Sequence, residues 1–521
     1  MLHHPHWTAW LVPLLYLLGA TAGALRRRAL WPALAWASGS ALAGALAGDI
    51  SRLVPDLAFG PHNGPAAAVM TLITFLGWII ARYSRGNLAG EAGERRFVCA
   101  LLLTLAGVSA VVAARNFSVL VLTWAASSAA LHPLLTHYRE RPAARIVARK
   151  KFLASRLADG CLLGAALLLY SRWHTLGLTP LARMITTHGA SGPEAQCAAL
   201  LLAAAVLLKS AQLPLHGWLV QVMEAPTSVS ALMHAGVVNL GGYVLIRLAP
   251  LISASLPAQG LLVIVGSTTA ALAGLTLMTC PTRKTRLAWS TCSQMGLMVA
   301  ECGLGLYGLA LLHLLGHALY KAHAFLCSGE AVRESAEVRM GAEPRLRAPY
   351  APLLGLALAA GLVAGSARLW HTVVRAPTVP WIALLVCTLG VATLLWDGVP
   401  SLATRTRNLL AAALAVQLYL LWHFTMNRGL GVPSAHPAPL LALYGALCVV
   451  GLYWAQGRLW RAGAATRHSR LYSRLYVWAA AGYFLDEPVT RLVTSRWPWC
   501  GVRRLDRRLG PWLAPHERGA A

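Results

Sequence analysis

Apolar segments long enough to cross a bilayer run through the whole chain and restrict the folds open to it. A helix of about 20 apolar residues spans the hydrocarbon core of a membrane, and fifteen segments of roughly that length can be counted along the chain. Hydrophobic residues make up 57% of the 521 residues and charged residues 12%, whereas about a quarter of the residues in soluble domains are charged. We therefore predict an all-α, polytopic membrane protein with about 15 transmembrane helices. The predicted spans are residues 7–24, 30–47, 66–82, 97–114, 117–136, 152–171, 196–220, 226–246, 257–279, 286–303, 305–328, 350–367, 379–396, 408–424 and 438–455.

The basic residues indicate an orientation in the membrane rather than a nucleic-acid partner. A formal net charge of +27 would suggest nucleic acid in a soluble protein. Here most basic loop residues fall on alternate loops, beginning with Arg26, Arg27 and Arg28 after the first span, as the positive-inside rule requires of cytoplasmic loops. We expect a multi-pass protein of the bacterial inner membrane, with its N-terminus outside, its C-terminus cytoplasmic and no nucleic-acid partner.

The chain divides into two regions of different composition. Residues 1–455 hold the predicted spans, whereas residues 456–521 are rich in arginine with interspersed tryptophan. That composition is typical of surfaces that contact lipid headgroups. Residues 471–493 of this tail are apolar enough to form an ordered interfacial helix. Contact with membrane lipids and docking of a partner protein are both open for the tail.

No cofactor is predicted within this chain. The ten cysteines are scattered through the apolar segments without a CxxC motif, so a disulfide framework or a zinc site is not expected. The sequence also lacks a Rossmann glycine fingerprint, an iron–sulfur cysteine spacing and a haem motif. Electron transfer is therefore not predicted.

A short set of ionisable residues lies inside the predicted spans. Lys209 and His234 fall within apolar runs, and Pro214 between them is expected to break a helix. A charged group at bilayer depth is costly unless it faces the protein interior or a water-filled path, and irregular backbone survives there only where it lines a cavity. Glu224 lies at the turn between the two spans and is a further candidate, either structural or protonic.

A second set recurs at helical spacing in the eleventh predicted span. His313, His317 and Lys321 are four residues apart and therefore line one face of a helix. His323 lies off that stripe and is a secondary candidate. Proton transfer needs titratable groups within reach of one another, which favours a proton-conducting function.

Three motifs resemble the proton-translocating, antiporter-like subunits of respiratory complex I and its relatives. They are KSAQLPLHGWL, MEAPTSVSALMHA and LAWSTCSQMG, beginning at residues 209, 223 and 287. The resemblance implies two inverted five-helix repeats with broken helices, at about residues 97–250 and 257–396, with a weak second break near Pro349 and Pro352. It also implies that Lys209 is the buried lysine of the first half-channel and that His234 follows it in the proton relay. His313, His317 and Lys321 match the central relay of the family.

Two departures from the family pattern affect the predicted relay. The family has a glutamate after the tryptophan of the fifth span, whereas here Trp124 is followed by Ala125. A buried lysine needs an acid to compensate its charge, and Asp159 is the candidate replacement, although Arg156 on the same helical face could take that carboxylate instead. Gly365 and Ser366 stand where the family carries the charged group of the twelfth span, so the completeness of the pathway is open.

The tail sequence LYVWAAAGYFLDEPVTRL resembles the tail of the DabB family, the membrane subunits of two-component inorganic carbon pumps. The length of the chain and the missing glutamate also favour this family over subunit L of complex I. This resemblance implies cation flux, of H⁺ or Na⁺, that powers CO2 hydration by DabA, a zinc-containing, carbonic-anhydrase-like partner on the cytoplasmic side. The first alternative is an ion-translocating subunit of complex I, a membrane hydrogenase or an Mrp antiporter. The second is a non-conducting membrane scaffold.

Overall fold

Long α-helices packed side by side make up most of the chain. The computed structural model describes residues 9–26, 29–51, 64–189, 192–330, 351–395, 402–429, 438–461 and 470–496. The helices up to the middle of the chain are α1 Leu11–Leu25, α2 Leu30–Ser51, α3 Gly64–Leu88, α4 Glu94–Ala113, α5 Phe117–Leu135, α6 Pro142–Trp173, α7 Leu178–His188, α8 Pro193–Lys209, α9 Gly217–Val220 and α10 Thr227–Arg247. Those that follow are α11 Leu256–Thr276, α12 Arg283–Gly303, α13 Tyr307–Leu326, α14 Ala351–Val373, α15 Trp381–Leu395, α16 Leu402–Gly429, α17 Pro439–Arg461, α18 Arg470–Ala480 and α19 Glu487–Arg496.

Local sequence sets where several of these helices begin. The side chains of Asn116, Ser255 and Thr282 each accept a hydrogen bond from a backbone N–H in the first turn of the helix that follows. Such caps satisfy donors that the helix itself cannot pair. Pro142 and Pro193 start α6 and α8, where the missing N–H of proline costs no helical hydrogen bond.

The membrane-protein prediction is confirmed, but the number of spans is not. Ten helices of the described residues are long and apolar enough to cross a bilayer, and α1 and α15 are shorter apolar helices. Each predicted span falls on a helix or on a broken pair of helices. The all-α, multi-pass class therefore holds, while the count of fifteen is not established by length and composition alone.

The predicted helix break near Pro214 is present. α8 ends at Lys209, residues 210–216 are not helical, and α9 restarts the helix for a single turn. The backbone N–H of Leu213, freed by the break, donates to Thr269 Oγ1 of α11 at 3.2 Å, so helix α11 satisfies part of the interruption.

The second predicted break does not appear as an interruption within a helix. Pro352 is the second residue of α14, which then continues without a break to Val373, while Pro349 lies outside the described residues. Proline is tolerated in the first turn of a helix, which explains why Pro352 begins α14 rather than breaking it. The inverted relation of the two five-helix groups stays a prediction.

A glycine pair brings α11 and α12 into backbone contact. A Cβ added at Gly266 would lie 2.6 Å from the Gly296 carbonyl oxygen, and one added at Gly296 would lie 2.6 Å from the Gly266 carbonyl oxygen. Small residues at a helix interface allow this close approach in membranes, where packing rather than the hydrophobic effect holds helices together. The contact fixes the position of α12, whose side chains reach α13.

Several loops lie at one end of the bundle. We call this end the basic face, because its loops include Arg141 and Lys284. Its loops are tied by contacts between Glu91 and His137, Arg141 and Glu224, and Lys284 and Thr227. The tail folds against the same end as two short helices, α18 and α19, joined by a turn at Gly482–Phe484. The single interfacial helix predicted over residues 471–493 is therefore interrupted. The tryptophans at 497, 499 and 512 lie outside the described residues.

Candidate functional site

Lys209, the last residue of α8, is buried and paired with an acid. Its ammonium Nζ lies 2.7 Å from Asp159 Oδ1 of α6, and 4.6 Å from the centre of the Trp124 ring of α5. The carboxylate compensates the charge, and the face of the indole ring adds a cation–π contact. The helix break places Lys209 at this position, because the chain leaves the helical path directly after it.

Asp159 pairs with both Arg156 and Lys209, the two partners between which the sequence did not decide. Its Oδ2 lies 2.7 Å from Arg156 Nη2, one helical turn away on α6, while its Oδ1 faces Lys209. Arg156 Nη2 also lies 3.5 Å from the Ala125 carbonyl oxygen. The guanidinium thus approaches Ala125, the position at which the family resemblance leads us to expect a glutamate. One carboxylate serves two cations here, and we call Arg156, Asp159 and Lys209 the first cluster.

The predicted spans leave Lys151 in the loop between residues 136 and 152, but the structure buries it near the first cluster. The helix α6 starts nine residues earlier, at Pro142, and Lys151 Nζ donates to the Ser128 carbonyl oxygen of α5 at 2.9 Å. Lys151 precedes Asp159 by eight residues and so shares its helical face. The eight-residue spacing from Asp159 could have indicated that Lys151 is buried. The positive-inside rule instead favours a cytoplasmic loop for the adjacent basic residues.

His234 lies in a widened turn of α10. Residues Met233–Val237 form a π-helical turn, a feature found frequently at functional sites. The imidazole is fully buried and stacks on Phe325 of α13, with ring centres 4.4 Å apart and an interplanar angle of 19°. Neither ring nitrogen has a hydrogen-bond partner among the described residues.

The histidine and lysine stripe of α13 points into the bundle as its spacing predicted. The rings of His313 and His317 are 6.1 Å apart, and His317 is buried. Lys321 has no exposed surface, and its Nζ donates to Ser290 Oγ at 2.7 Å and to the Leu287 carbonyl oxygen at 3.3 Å. Phe325, which carries the stacked His234, is the next residue of the same stripe. His234 therefore adjoins the Lys321 end.

An acid that the sequence analysis missed completes the other end of the stripe. Glu301, near the end of α12, is 3% exposed, and its two carboxylate oxygens lie 3.1 and 3.2 Å from His313 Nδ1. Its signal was available, since it is a carboxylate within the apolar segment 286–303. We call Glu301, His313, His317 and Lys321 the second cluster.

Two predicted candidates are not brought to these clusters. Glu224 is 39% exposed on the basic face and pairs with Arg141 at 3.0 Å, which supports its structural alternative. His323 is exposed, and its Nε2 lies 3.7 Å from the sulfur of Cys327. The structure therefore places both outside the buried row of titratable groups.

The position of the missing charge in the twelfth span holds a neutral network. Ser366 Oγ accepts a hydrogen bond from Gln417 Nε2 at 3.1 Å, and Gln417 Oε1 accepts one from Trp370 Nε1 at 2.7 Å. Gly365 faces open space. Amide and hydroxyl groups satisfy one another at this position, and the acid that contacts the second cluster is Glu301 of α12.

Comparison with known proteins identifies antiporter-like membrane proteins as relatives. The family model described as "NADH:quinone oxidoreductase/Mrp antiporter, TM" matches residues 114–368. A chain in the structure of the membrane-bound sulfane sulfur reductase, an archaeal respiratory membrane complex, superposes with a TM-score of 0.56. That alignment covers 91% of this chain and 97% of the other at 16% identity, so it supports the fold alone.

Two relatives are named as probable inorganic carbon transporter subunits. The probable subunit DabB of Hydrogenovibrio crunogenus is 43% identical over 325 residues, a match that covers 61% of this chain and 61% of that relative's length. The probable subunit DabB2 of Halothiobacillus neapolitanus is 35% identical over 455 residues, which covers 84% of this chain and 80% of that relative. This chain therefore belongs to the DabB family, within the antiporter-like group of membrane proteins.

Proposed function

We propose that this protein conducts protons through the bilayer as the membrane subunit of an energy-coupled inorganic carbon (CO2/bicarbonate) transporter. The observation that carries the proposal is the row of largely buried titratable side chains formed by Asp159 and Lys209 of the first cluster and by the second cluster. Few such groups are tolerated at bilayer depth without a function. Membership of the DabB family supports inorganic carbon as the transported substrate.

The chemistry of the row favours H⁺ over Na⁺. Lys209, His317 and Lys321 offer amine and imidazole nitrogens, which hold and release protons. A hard metal cation instead needs a set of oxygen ligands. The two acids, Asp159 and Glu301, already face basic partners at 2.7 and 3.1 Å, so their oxygens serve these partners.

His234 would link the clusters. It lies on α10, which follows the broken segment that begins beside Lys209, and it stacks at the Lys321 end of the α13 stripe. A neutral imidazole can accept a proton on one nitrogen and donate from the other. Neither ring nitrogen of His234 has a hydrogen-bond partner among the described residues, so both are free for that exchange.

The conducted protons would drive chemistry in a second subunit. We propose that this partner is a DabA-like, zinc-containing, carbonic-anhydrase-like protein docked on the cytoplasmic side, where proton flux would make CO2 hydration run in one direction. The basic face would be that cytoplasmic side in the bacterial inner membrane, with the N-terminus outside. Zinc is expected in the partner and not in this chain.

The first prediction concerns the two buried lysines. Lys209→Ala and Lys321→Ala should each lower proton flux at least about 10²-fold, the scale typical of losing a proton-transfer group, while the protein still inserts and binds its partner. Lys284→Ala, on the basic face, should retain flux and serves as the control. Flux in proteoliposomes that contain the purified complex, followed with an internal pH dye, is the measurement. Full flux in both buried variants would favour the scaffold alternative.

The second prediction tests the pairing of Asp159 with Lys209. Asp159→Asn keeps the shape of the side chain but removes its charge, so flux should fall about as far as in Lys209→Ala. Because the two groups act as one unit, the double variant should be little worse than either single variant. A double variant whose loss equals the sum of the two single losses, in free energy, would contradict the pairing.

The third prediction concerns Glu301 as the acidic end of the second cluster. Glu301→Gln should lower proton flux about 10²-fold, because His313 loses its acidic partner while the hydrogen-bonding shape is kept. Glu140→Gln, an exposed acid of the basic face, is the matched control. Equal flux in the two variants, at equal amounts of assembled complex, would remove Glu301 from the pathway.

The fourth prediction concerns the partner. Cells that express this chain alone should accumulate no inorganic carbon, because the hydration chemistry resides in the second subunit. Co-expression with the zinc-containing partner should give accumulation of ¹⁴C-bicarbonate, and an uncoupler should abolish it. Accumulation by this chain alone, or accumulation that survives collapse of the proton gradient, would overturn the assignment.

A further inference from the structure

A carboxylate from the tail is inserted beneath the helix break. Asp486 Oδ2, between α18 and α19, accepts hydrogen bonds from Lys150 Nζ at 2.6 Å and from Gln221 Nε2 at 2.7 Å. Gln221 Oε1 in turn accepts from Lys150 Nζ at 2.9 Å. The Lys150 side chain is 2% exposed, so this ion pair is largely removed from water. Removing one partner of such a pair leaves an uncompensated buried charge.

The first helical residue after the break is shaped for this carboxylate. A Cβ added at Gly217 would overlap Asp486 Oδ1, so any other residue at position 217 would push the tail away. Asp486 Oδ2 also accepts a hydrogen bond from Thr490 Oγ1 at 3.1 Å, and the Asp486 carbonyl oxygen accepts one from the Thr490 backbone N–H at 2.9 Å at the start of α19. The tail and the break are therefore fitted to each other, with the carboxylate fixed from both sides.

A second contact ties the tail to α12. Gly482 has a φ of +59° and packs on Trp289, whose Cζ2 would lie 3.0 Å from a Cβ at that position. The neighbouring Tyr483 hydroxyl donates to the Leu272 carbonyl oxygen at 3.2 Å. The Trp289 ring is 4.9 Å from the ring of His216, the residue before Gly217. The tail thus clamps the end of the break against α12.

This clamp lies close in sequence to the groups that hold both buried lysines. Lys209 is the residue at which the helix gives way to the break. Ser290 and Leu287, which bind Lys321 Nζ, are the residue after Trp289 and the residue two before it. A shift of Trp289 or His216 would therefore displace the surroundings of a lysine in each cluster.

We propose that residues 470–496 form a positioning strap, in which Asp486 holds the helix break against α12 and keeps Lys209 and Lys321 in register for proton transfer. The proposal rests on the proposed proton conduction. Asp486 acts through the backbone it positions and is not itself a relay group. Small displacements of reacting groups lower transfer rates strongly, so loosening the strap should reduce flux without removing any titratable residue of the two clusters.

The test compares neighbouring acids of the tail in the complete complex. Asp486→Asn should lower proton flux about tenfold, by misplacing groups rather than deleting them, with the amount of complex unchanged on native gels. Glu487→Gln is the matched control, since Glu487 is exposed and pairs only with Arg491 of its own helix among the described residues. Normal flux in Asp486→Asn would overturn the strap.

Charge reversal separates positioning from simple folding. Asp486→Lys and Lys150→Asp should each lose flux, and the double variant should recover at least half of it, because the opposite charges face each other again. A double variant that assembles but stays as inactive as the single variants would overturn the proposal. Gly217→Ala, which displaces the carboxylate without changing a charge, should reproduce the Asp486→Asn loss, and normal flux would count against the strap.

The same assay distinguishes failure of the strap from failure of proton conduction. Loss of flux in Lys209→Ala together with normal flux in Asp486→Asn would retain the conducting function and reject the strap. Full flux in Lys209→Ala would reject conduction by the clusters, and the strap would fall with it.

Discussion

The ion pair between Lys209 and Asp159 is the contact on which the rest of the site depends. A lone charged side chain at the centre of a bilayer costs about 2.5–3.5 kcal/mol even on insertion scales, so neither group would be retained there without the other. Their 2.7 Å separation requires the end of α8 to face the middle of α6. The helix break after Lys209 and the packing of Trp124 of α5 against its ammonium permit that geometry.

The second cluster solves the same problem with a longer row of groups. Glu301 faces His313 at one end, and Lys321 is satisfied at the other by a hydroxyl and a carbonyl of α12. Both ends therefore rely on α12, which the Gly266 and Gly296 contact holds against α11. Rigid helices position most of these groups, whereas Lys209 adjoins the irregular residues 210–216 and His234 lies in the widened turn Met233–Val237.

The sequence was sufficient for the class of fold and for the placement of many residues of the candidate site, because both depend on local pattern. Apolar length predicted a multi-pass helical protein, and the four-residue spacing predicted the α13 stripe. Asp159 was predicted from the need of a buried lysine for an acid. Lys151 was missed because a basic residue at the end of a span is equally compatible with a loop. Glu301 was missed because its partner His313 lies on another helix. Asp486 could not be predicted from pattern, since its partners are 265 and 336 residues away.

The presence of Arg156 changes the electrostatic balance of the first cluster. A lysine paired with one acid is neutral when protonated and carries −1 after it has given up its proton. With Arg156, which keeps its proton in proteins, the trio carries +1 when Lys209 is protonated and becomes neutral when Lys209 is not. Within this trio, protonation of Lys209 and not its deprotonation would create the uncompensated charge, so the trio is electroneutral when the lysine is unprotonated.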